Sequence, residues 1–356
     1  MRRVREGWVT NRADAARILG IAPSTVGDYV TRLVESDILR EGPVTSGRVG
    51  RPQYRLELNR EAGQFVGVDF EANSLMAQVV DFSCQPLYRE RRELGGGRVS
   101  AARMLEELES LTASVIGEAS GQVLGLGVGV PGLVDERRGL GLDYPLIEGW
   151  KEVDLRGRLE ARFDLDVRID NTGRVGARAE KLFGGARRMT DFACVVNRGG
   201  LGIGAYEAGR LLTGFGGAFG EFGRVAMPGT AGISDGGHLE EAASYRALFG
   251  SFGQGERDPD WEGLGERIYA GEAEAAAAFE RAVGIIGWVL GLAAAMLNPK
   301  AIFLQSPMVG LGERFRARLQ AKMAGCSGLP AAYIPRLEFS DLGYYAGAMG
   351  AAAMAV

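Results

Sequence analysis

Residues 123–135 read VLGLGVGVPGLVD. The run from Val123 to Val130 is apolar with glycine at every second position from 125 to 129, and Pro131-Gly132 ends it. A short apolar run that is bounded by turn residues is typical of a buried β-strand. The pattern therefore predicts a strand over 123–130 that leads directly into a turn.

Similar apolar runs occur on both sides of this stretch. They lie at residues 65–68, 75–80, 167–169, 192–196 and 203–206, while helical patterns cover residues 101–118, 175–182, 275–297 and 346–354. Strands come first in each half of the body and helices later, which favours two α/β lobes. Small ligands generally bind in the cleft between such lobes, so the pattern also predicts where a site would be.

The composition is typical of a folded protein of more than one domain. The chain has 356 residues, 46% of them hydrophobic and 24% charged, which excludes a disordered tail, a collagen and a small disulfide scaffold. Its three cysteines are far apart and argue against a disulfide framework or a cysteine-based zinc site. The N-terminal residues are polar, and the most apolar stretch, 283–297, is broken by glycine and short for a membrane span. We therefore expect a cytoplasmic protein with no membrane partner, in which 283–297 is a buried helix.

Charge is unevenly distributed along the chain, whose 41 basic and 45 acidic residues give a net charge of −4. Residues 1–60 contain eleven arginines and seven acidic residues, a net charge of +4, and the other 296 residues carry −8. A small basic segment before a larger acidic body favours a nucleic-acid-binding module that is fused to a different kind of domain. A solvated, arginine-rich terminus would give the same balance, so charge alone leaves both alternatives open.

Residues 11–33 have the spacing of a helix-turn-helix. Asn11 is a suitable N-cap with Asp14 at the third helical position, and Gly20 suits the left-handed turn that ends the helix. Pro23 then begins a second helix. The residues expected to be buried in the two helices are Ala15, Ala16, Leu19, Val26, Tyr29, Val30 and Leu33.

Residues 39–58 add a wing to this pattern. Glycine and proline predict a turn-rich hairpin tip, and the alternation of Tyr54, Leu56 and Leu58 predicts a strand. In a winged helix-turn-helix the second helix lies in the major groove of double-stranded DNA, and the wing tip reaches phosphates or the minor groove. The candidate DNA contacts are Ser24, Thr25, Asp28 and Arg32 on the second helix and Arg48 and Arg51 at the wing tip. A small helical interaction domain is the alternative, and because about ten residues precede Asn11, the usual first helix must be short or truncated.

The whole chain resembles the ROK family (repressors, open reading frames and sugar kinases) in its repressor form. The matching stretches, in the family's order, are GRPQYRLELN (50–59), VGVDF (66–70), GLGVGVPGLVD (125–135), EGWKEVDL (148–155), GLGIGAYEAGRLLTGFGGAFGEFG (200–223), LEEAAS (239–244) and NPKAIFLQSPMVG (298–310). The resemblance implies an actin/hexokinase-like (ribonuclease H-like) α/β fold of two lobes. It divides the chain into a winged helix-turn-helix over 1–60, an N-terminal lobe over 61–182 to which a C-terminal helix in 341–356 returns, and a C-terminal lobe over 183–340.

The position of the catalytic base departs from the family pattern. The resemblance implies that the family's kinases use an aspartate in an Asn-Asp-Ala-Asn motif to deprotonate the sugar hydroxyl, and phosphoryl transfer needs such a group. The matching residues here begin at Asp170, and the register of the following ARAE (177–180) places Thr172 at the base position. A threonine hydroxyl does not accept a proton near neutral pH, and a general base contributes roughly 10²–10⁴ in rate. We therefore expect no catalytic residue; a shifted register that places Asp170 there is the alternative.

The nucleotide and metal positions depart from the pattern as well. The family's first phosphate turn reads Asp-x-Gly-Gly-Thr, whereas this chain has Glu71 within Asp69-Phe70-Glu71-Ala72-Asn73, where its charge would repel ATP. The second phosphate loop, Gly200 to Gly204, is intact. The positions that correspond to the family's zinc ligands are Arg224, Ala231, Ile233 and His238. One histidine does not make a tetrahedral zinc site, so we expect neither metal nor cofactor.

The sugar contacts are partly kept. By resemblance the effector-binding positions are Asn171, Thr172, Glu221, Arg224 and Glu240. Amide and carboxylate groups suit sugar hydroxyls, and the planar cation of Arg224 would favour an acidic or otherwise modified sugar. The alternative is that Arg224 pairs with Glu221 or Glu240 and closes an empty cleft.

The sequence thus predicts a DNA-binding transcriptional regulator, a repressor by family resemblance, whose inactive sugar-kinase-like body senses a sugar or an acidic sugar-derived effector. As in the family, a homodimer or homotetramer would hold two winged helices against a roughly palindromic operator. The main alternative is an active sugar kinase that uses ATP. A scaffold that only oligomerises is a third hypothesis.

Overall fold

The structure is a computed structural model that describes residues 1–5, 7–43, 54–95, 97–226, 237–253 and 259–356. Four positions that the sequence analysis singled out, Arg48, Arg51, Ala231 and Ile233, lie outside the described residues. All the other candidate DNA-binding and effector-binding residues lie within them.

The helices are α1 (Arg2–Arg5), α2 (Arg12–Leu19), α3 (Pro23–Glu35), α4 (Ala101–Gly117), α5 (Leu155–Phe163), α6 (Thr172–Leu182), α7 (Leu239–Ala243), α8 (Tyr245–Phe249), α9 (Trp261–Tyr269), α10 (Ala273–Leu297), α11 (Gly312–Ser327) and α12 (Ala346–Ala355). The strands are β1 (Leu39–Pro43), β2 (Tyr54–Leu58), β3 (Gln64–Phe70), β4 (Ser74–Asp81), β5 (Pro86–Glu93), β6 (Val99–Ser100), β7 (Val123–Val130), β8 (Leu133–Asp135), β9 (Leu140–Asp143), β10 (Ile147–Glu148), β11 (Lys151–Asp154), β12 (Val167–Asn171), β13 (Phe192–Asn197), β14 (Leu201–Glu207), β15 (Arg210–Leu211), β16 (Ala301–Gln305) and β17 (Arg336–Phe339).

The N-terminal part is a winged helix-turn-helix in which α2 and α3 pack on the antiparallel hairpin β1–β2. The predicted cap is confirmed, because the Asn11 side chain accepts a hydrogen bond from the backbone N–H of Asp14 at 2.8 Å. Gly20 ends α2 with φ 66°, in the left-handed region that glycine adopts without strain. The Arg12 guanidinium fixes the two helices to the hairpin, since it binds Glu41 at 2.8 Å and the carbonyl of Gly27 at 2.9 Å.

Two core predictions for these helices are wrong. Leu19 is 51% exposed and Tyr29 is 59% exposed, whereas Val26 and Val30 are buried as predicted. The core of this part is a small cluster made of Val9, Ala15, Val26, Val30 and Leu56. Because so small a cluster covers only a narrow stripe of each helix, side chains at its flank and in the last turn of α2 remain in solvent.

The first lobe is built on a mixed five-stranded sheet in the order β12-β7-β3-β4-β5. The 123–130 run is β7, as predicted, and it pairs in parallel with both β3 and β12. The C-terminal helix α12 packs across this sheet so closely that a Cβ on Gly67 would lie 1.9 Å from the carbonyl oxygen of Ala348. The last helix of the chain therefore belongs to the core of the first lobe.

The second lobe has the sheet order β15-β14-β13-β16-β17. Its core is dominated by α10, which packs on α11 and contributes thirteen buried residues from Ala275 to Ala294. By length and composition alone this helix could cross a membrane, but 56% of its most apolar window is buried within the protein. The helix over 283–297 is thus a core helix, as predicted, and glycines along it allow the close approach of α11, since a Cβ on Gly287 would lie 2.4 Å from the Lys322 side chain.

Candidate functional site

The five predicted effector-binding residues line one cavity between the two lobes. The cavity holds about 510 Å³ of empty space, part of it open to solvent, and its wall includes Asn171, Thr172, Glu221, Arg224 and Glu240. The amide and carboxylate groups of this wall suit the hydroxyl groups of a sugar.

Asn171 organises the floor of the cavity because it caps α6. Its side-chain oxygen accepts the backbone N–H of Gly173 at 2.8 Å, while its amide nitrogen donates to the carbonyl of Gly132 at 2.9 Å and to Glu221 Oε1 at 3.0 Å. The sequence pattern placed the helix start at Val175, but this cap moves it to Thr172. The amide therefore joins the end of β12, the turn after β7 and the second lobe.

Arg224 is held by two carboxylates. Its guanidinium lies 3.1 Å from Glu221 Oε2 and 2.8 Å from Asp143 Oδ2, and it also donates to the backbone carbonyl of Asp143 at 2.9 Å. The pairing with Glu221 agrees with one of the sequence alternatives, whereas Arg224 makes no ion pair with Glu240 among the described residues. Sequence reasoning missed Asp143, because it lies 81 residues away in the chain and only the closure of the lobes brings it here.

Glu221 and Glu240, two carboxyl groups of the cavity wall, have raised pKa values. Burial raises the pKa of Glu221, although the Arg224 guanidinium opposes the rise. Burial also raises the pKa of Glu240, and the charge of Glu221 adds to that effect. A ligand that donates hydroxyl groups to these carboxylates would stabilise their charged form, and sugar hydroxyls are suitable donors.

Asp170 does not face the cavity. Its carboxylate is 3% exposed and is bound by Arg174 Nε at 2.5 Å and by Arg178 at 3.4 Å. Thr172, which does line the cavity, donates its hydroxyl to Asp69 Oδ1 at 3.3 Å. The register that places Thr172 at the base position therefore fits the geometry, and the shifted register that uses Asp170 does not.

A buried ion cluster joins the lobes beside the cavity. Arg198, from the second lobe, lies 2.5 Å from Asp69 Oδ2 and 2.9 Å from Glu71 Oε1, both at the end of β3 in the first lobe. Glu71 Oε2 also accepts the backbone N–H of Gly199 at 2.7 Å, immediately before the glycine loop 200–204. Burial alone would lower the pKa of Arg198, but the charges of Asp69 and Glu71 outweigh it and raise that pKa. We refer to Asp69, Glu71 and Arg198 as the interlobe cluster.

The residues at the family's zinc positions do not fit the metal. Arg224 is a cation that already binds two carboxylates, and His238 Nδ1 lies 3.0 Å from the carbonyl oxygen of Arg224. Among the described residues, no group of three or more histidine, cysteine, aspartate or glutamate side chains could hold a metal ion. His238 instead occupies the N-cap position of α7.

On the N-terminal part, the candidate DNA contacts of α3 share one exposed face. Ser24, Thr25, Asp28 and Arg32 are all exposed. At about 100° per helical residue, Tyr29 lies at the edge of this face, about 40° beyond Thr25. Its 59% exposed ring, which the sequence analysis placed in the core, is therefore a further candidate for contact with DNA.

A two-lobe α/β body with a polar cleft between the lobes, attached to a winged helix-turn-helix, defines the regulator class of sugar-kinase-like proteins. The sequence profile of the ROK family matches residues 65–356, and the chain belongs to this family. The fold is accordingly actin/hexokinase-like.

Individual relatives agree with this assignment. The xylose repressor of Caldicellulosiruptor bescii is 24% identical over 375 residues, which cover 100% of this chain and 94% of that protein. A solved ROK family transcriptional regulator, a homologue of the E. coli MLC protein, has a TM-score of 0.75 at 21% identity and covers 99% of this chain and 95% of its own. A ROK family glucokinase from Streptomyces griseus, solved with glucose and AMPPNP, has a TM-score of 0.71 at 23% identity and covers 82% of this chain and 99% of its own. The match to the regulator includes the N-terminal part of this chain as well as the body, whereas the match to the kinase covers a smaller share of the chain.

Proposed function

We propose that this protein is a DNA-binding transcriptional repressor whose sugar-kinase-like body binds a sugar and does not transfer phosphate. The observation that carries the proposal is the combination of a polar cavity between the lobes with Thr172, not a carboxylate, at the base position. The relation to a xylose repressor along nearly the whole of both chains supports the same function.

The cavity suits a neutral sugar at least as well as an acidic one. Asn171, Glu221 and Glu240 offer amide and carboxylate groups for paired hydrogen bonds with hydroxyls. Arg224 already has its charge compensated by Glu221 and Asp143, so an acidic ligand would have to displace Asp143 to gain a full ion pair. Xylose is the first effector to test, given the name of the related repressor.

Two features of the interlobe cluster argue against ATP as a substrate. Glu71 places a carboxylate on the backbone N–H of Gly199, so the approach to the glycine loop is already occupied by a negative group. Arg198, two positions before that loop in the chain, is committed to Asp69 and Glu71. A triphosphate would have to displace both interactions, and no carboxylate at position 172 would then deprotonate the sugar.

We further propose that the chain acts as three units: 1–60 on the DNA, and the lobes 61–182 (with 341–356) and 183–340 around the effector. The protein would be cytoplasmic and would work as a homodimer or homotetramer. Adjacent major-groove half-sites lie about 34–36 Å apart, so the body must hold two winged helices near that spacing. Effector binding would change how far the lobes close and hence the spacing of the two winged helices. The size of this change depends on how much more tightly the effector binds one conformation of the lobes than the other.

The DNA part of the proposal is tested by selecting fragments of the organism's own genome and measuring their affinity by fluorescence anisotropy. The double variant Arg48→Ala/Arg51→Ala should lose about two phosphate contacts. The slope of log K against log salt concentration should then become shallower by roughly 0.9 for each lost contact. Affinity that is unchanged in this double variant at every salt concentration would refute the wing assignment.

The effector part is tested with xylose, glucose and glucuronate. A sugar that binds the cavity should raise the melting temperature and change operator affinity, and Asn171→Ala should remove both effects.

A coupled assay with ATP and the same sugars tests the kinase alternative, which the intact glycine loop 200–204 favours. Turnover above background would overturn the non-catalytic assignment, and turnover that also survives Thr172→Ala would show that the register is wrong.

A further inference from the structure

A second polar cavity lies where the N-terminal part meets the body, away from the interlobe cleft. It holds about 600 Å³ of empty space, part of it open to solvent. Arg5, from α1, lines it together with Ser83 and Gln85, from the turn between β4 and β5. Arg187, from the segment between α6 and β13, lines it as well. We refer to it as the junction cavity.

The junction cavity is lined by two guanidinium groups. Neither the Arg5 nor the Arg187 side chain makes a hydrogen bond or ion pair within the described part of the chain, and Arg5 Nε is buried without an acceptor. Arg187 reaches towards the N-terminal part, since its Nη2 lies 4.0 Å from where a Cβ on Gly7 would be. A buried guanidinium N–H without an acceptor is costly, and it indicates a site for an anion.

The scaffold around these groups is fixed. In the 81–86 turn, Asp81 Oδ1 accepts the backbone N–H of Ser83 at 2.8 Å, the Ser83 hydroxyl at 2.7 Å and the backbone N–H of Gln85 at 2.9 Å. Lys181 holds the other side, because its ammonium donates to the carbonyls of Arg187 at 3.2 Å and Met189 at 2.7 Å. These contacts position the residues that line the cavity before any ligand binds.

Asp81, in the same turn as Ser83 and Gln85, does not cancel the two arginines. Asp81 is 5% exposed and does not line the cavity. Its Oδ1 is used by three donors of its own turn, and its Oδ2 lies 3.8 Å from Arg60. Two guanidinium groups with a side-chain amide beside them are therefore left to face the cavity, which is the donor set that binds phosphate groups in proteins.

We propose that the junction cavity binds a small phosphate-bearing anion, which Arg5 and Arg187 hold between them. Arg5 belongs to the DNA-binding part and Arg187 to the body, so the bound anion fixes the winged helix on the lobes. This site is separate from the sugar cavity, and the inference does not depend on what the interlobe cleft binds.

The test uses the full-length protein without DNA or sugar, and inorganic phosphate as the ligand. Binding is followed by the ³¹P NMR line width of phosphate and by the melting temperature, at constant ionic strength. Saturable binding is expected for the wild type, and Arg5→Gln or Arg187→Gln should weaken it at least about tenfold through the loss of a charge-assisted hydrogen bond. Arg188→Gln is the matched control, because Arg188 is the exposed neighbour of Arg187 and does not line the cavity.

Glucose 6-phosphate and glucose distinguish the sources of the phosphate group. Binding of the ester that is lost in Arg187→Gln assigns the site to a phosphorylated metabolite, whereas binding of inorganic phosphate alone assigns it to the free ion.

The proposal is overturned if the wild type shows no saturable binding up to about 10 mM, or if Arg188→Gln weakens binding as much as Arg187→Gln. It is also overturned if Arg187→Gln leaves phosphate binding intact and weakens only duplex DNA binding. Arg187 is exposed, so its substitution tests the site without disturbing the core.

Discussion

Replacing Glu71 with alanine would remove two interactions that join the lobes. The Glu71 carboxylate, 10% exposed, accepts the Gly199 N–H at 2.7 Å and pairs with Arg198 at 2.9 Å. A hydrogen bond to a charged group contributes about 1.5–3 kcal/mol, and Arg198 keeps Asp69 as a partner, so no cation is left unpaired. We expect Glu71→Ala to lower the free energy of unfolding by about 1.5–3 kcal/mol.

Glu71→Gln separates the hydrogen bond from the charge. A glutamine oxygen can still accept the Gly199 N–H, and a neutral hydrogen bond contributes about 0.5–1.5 kcal/mol. We therefore expect the glutamine variant to lose about half as much stability as the alanine variant. Urea unfolding at neutral pH, followed by tryptophan fluorescence, gives both values from the transition midpoint and its slope.

Exposed Glu118, the C-cap residue of α4, provides the control, and Glu118→Ala should stay within about 0.5 kcal/mol of the wild type. Equal losses for the alanine and glutamine variants would show that the charge of Glu71 accounts for the whole effect and that a neutral hydrogen bond to Gly199 contributes nothing. A gain in stability for Glu71→Ala would refute the view that the cluster holds the lobes together.

Three further predictions concern the core, the cavity and the DNA-binding face. Gly67→Ala should destabilise the protein by about 3 kcal/mol or more, because its Cβ would lie 1.9 Å from the Ala348 carbonyl oxygen. The control is Gly284→Ala in α10, where the Cβ has open space, and it should be neutral or stabilising in the same urea assay. Burial raises the pKa of Glu240, so its charge costs stability increasingly as pH rises above the ordinary carboxyl pKa of about 4.3. Glu240→Gln should therefore be more stable than the wild type at pH 8 and should lose that advantage near pH 4. A difference in melting temperature that does not vary with pH would contradict this prediction. Tyr29→Ala should leave the melting temperature unchanged but weaken operator binding in the anisotropy assay. A large loss of stability would instead show that the Tyr29 side chain contributes to the core.

Elements whose signal is local could be predicted closely. The apolar run of β7, the Asn11 cap of α2 and the proline at the start of α3 each act through residues within a few positions of themselves. Capping and periodicity depend on neighbours in the chain, so the sequence carries them in full. Leu19 and Tyr29 show the limit of such patterns, because periodicity identifies an apolar face but not how much of it a small core covers.

The sequence by itself determined the two α/β lobes, the helix-turn-helix and the loss of a carboxylate at position 172. Only the tertiary structure decided which charges meet: Arg198 joins Asp69 across 129 positions of the chain, and Arg224 joins Asp143 across 81. Such pairs have no local signal, because an ion pair depends on distance in space, and the closure of the lobes sets that distance. For the same reason the guanidinium groups of Arg5 and Arg187, far apart in sequence, form a candidate site only in the folded chain.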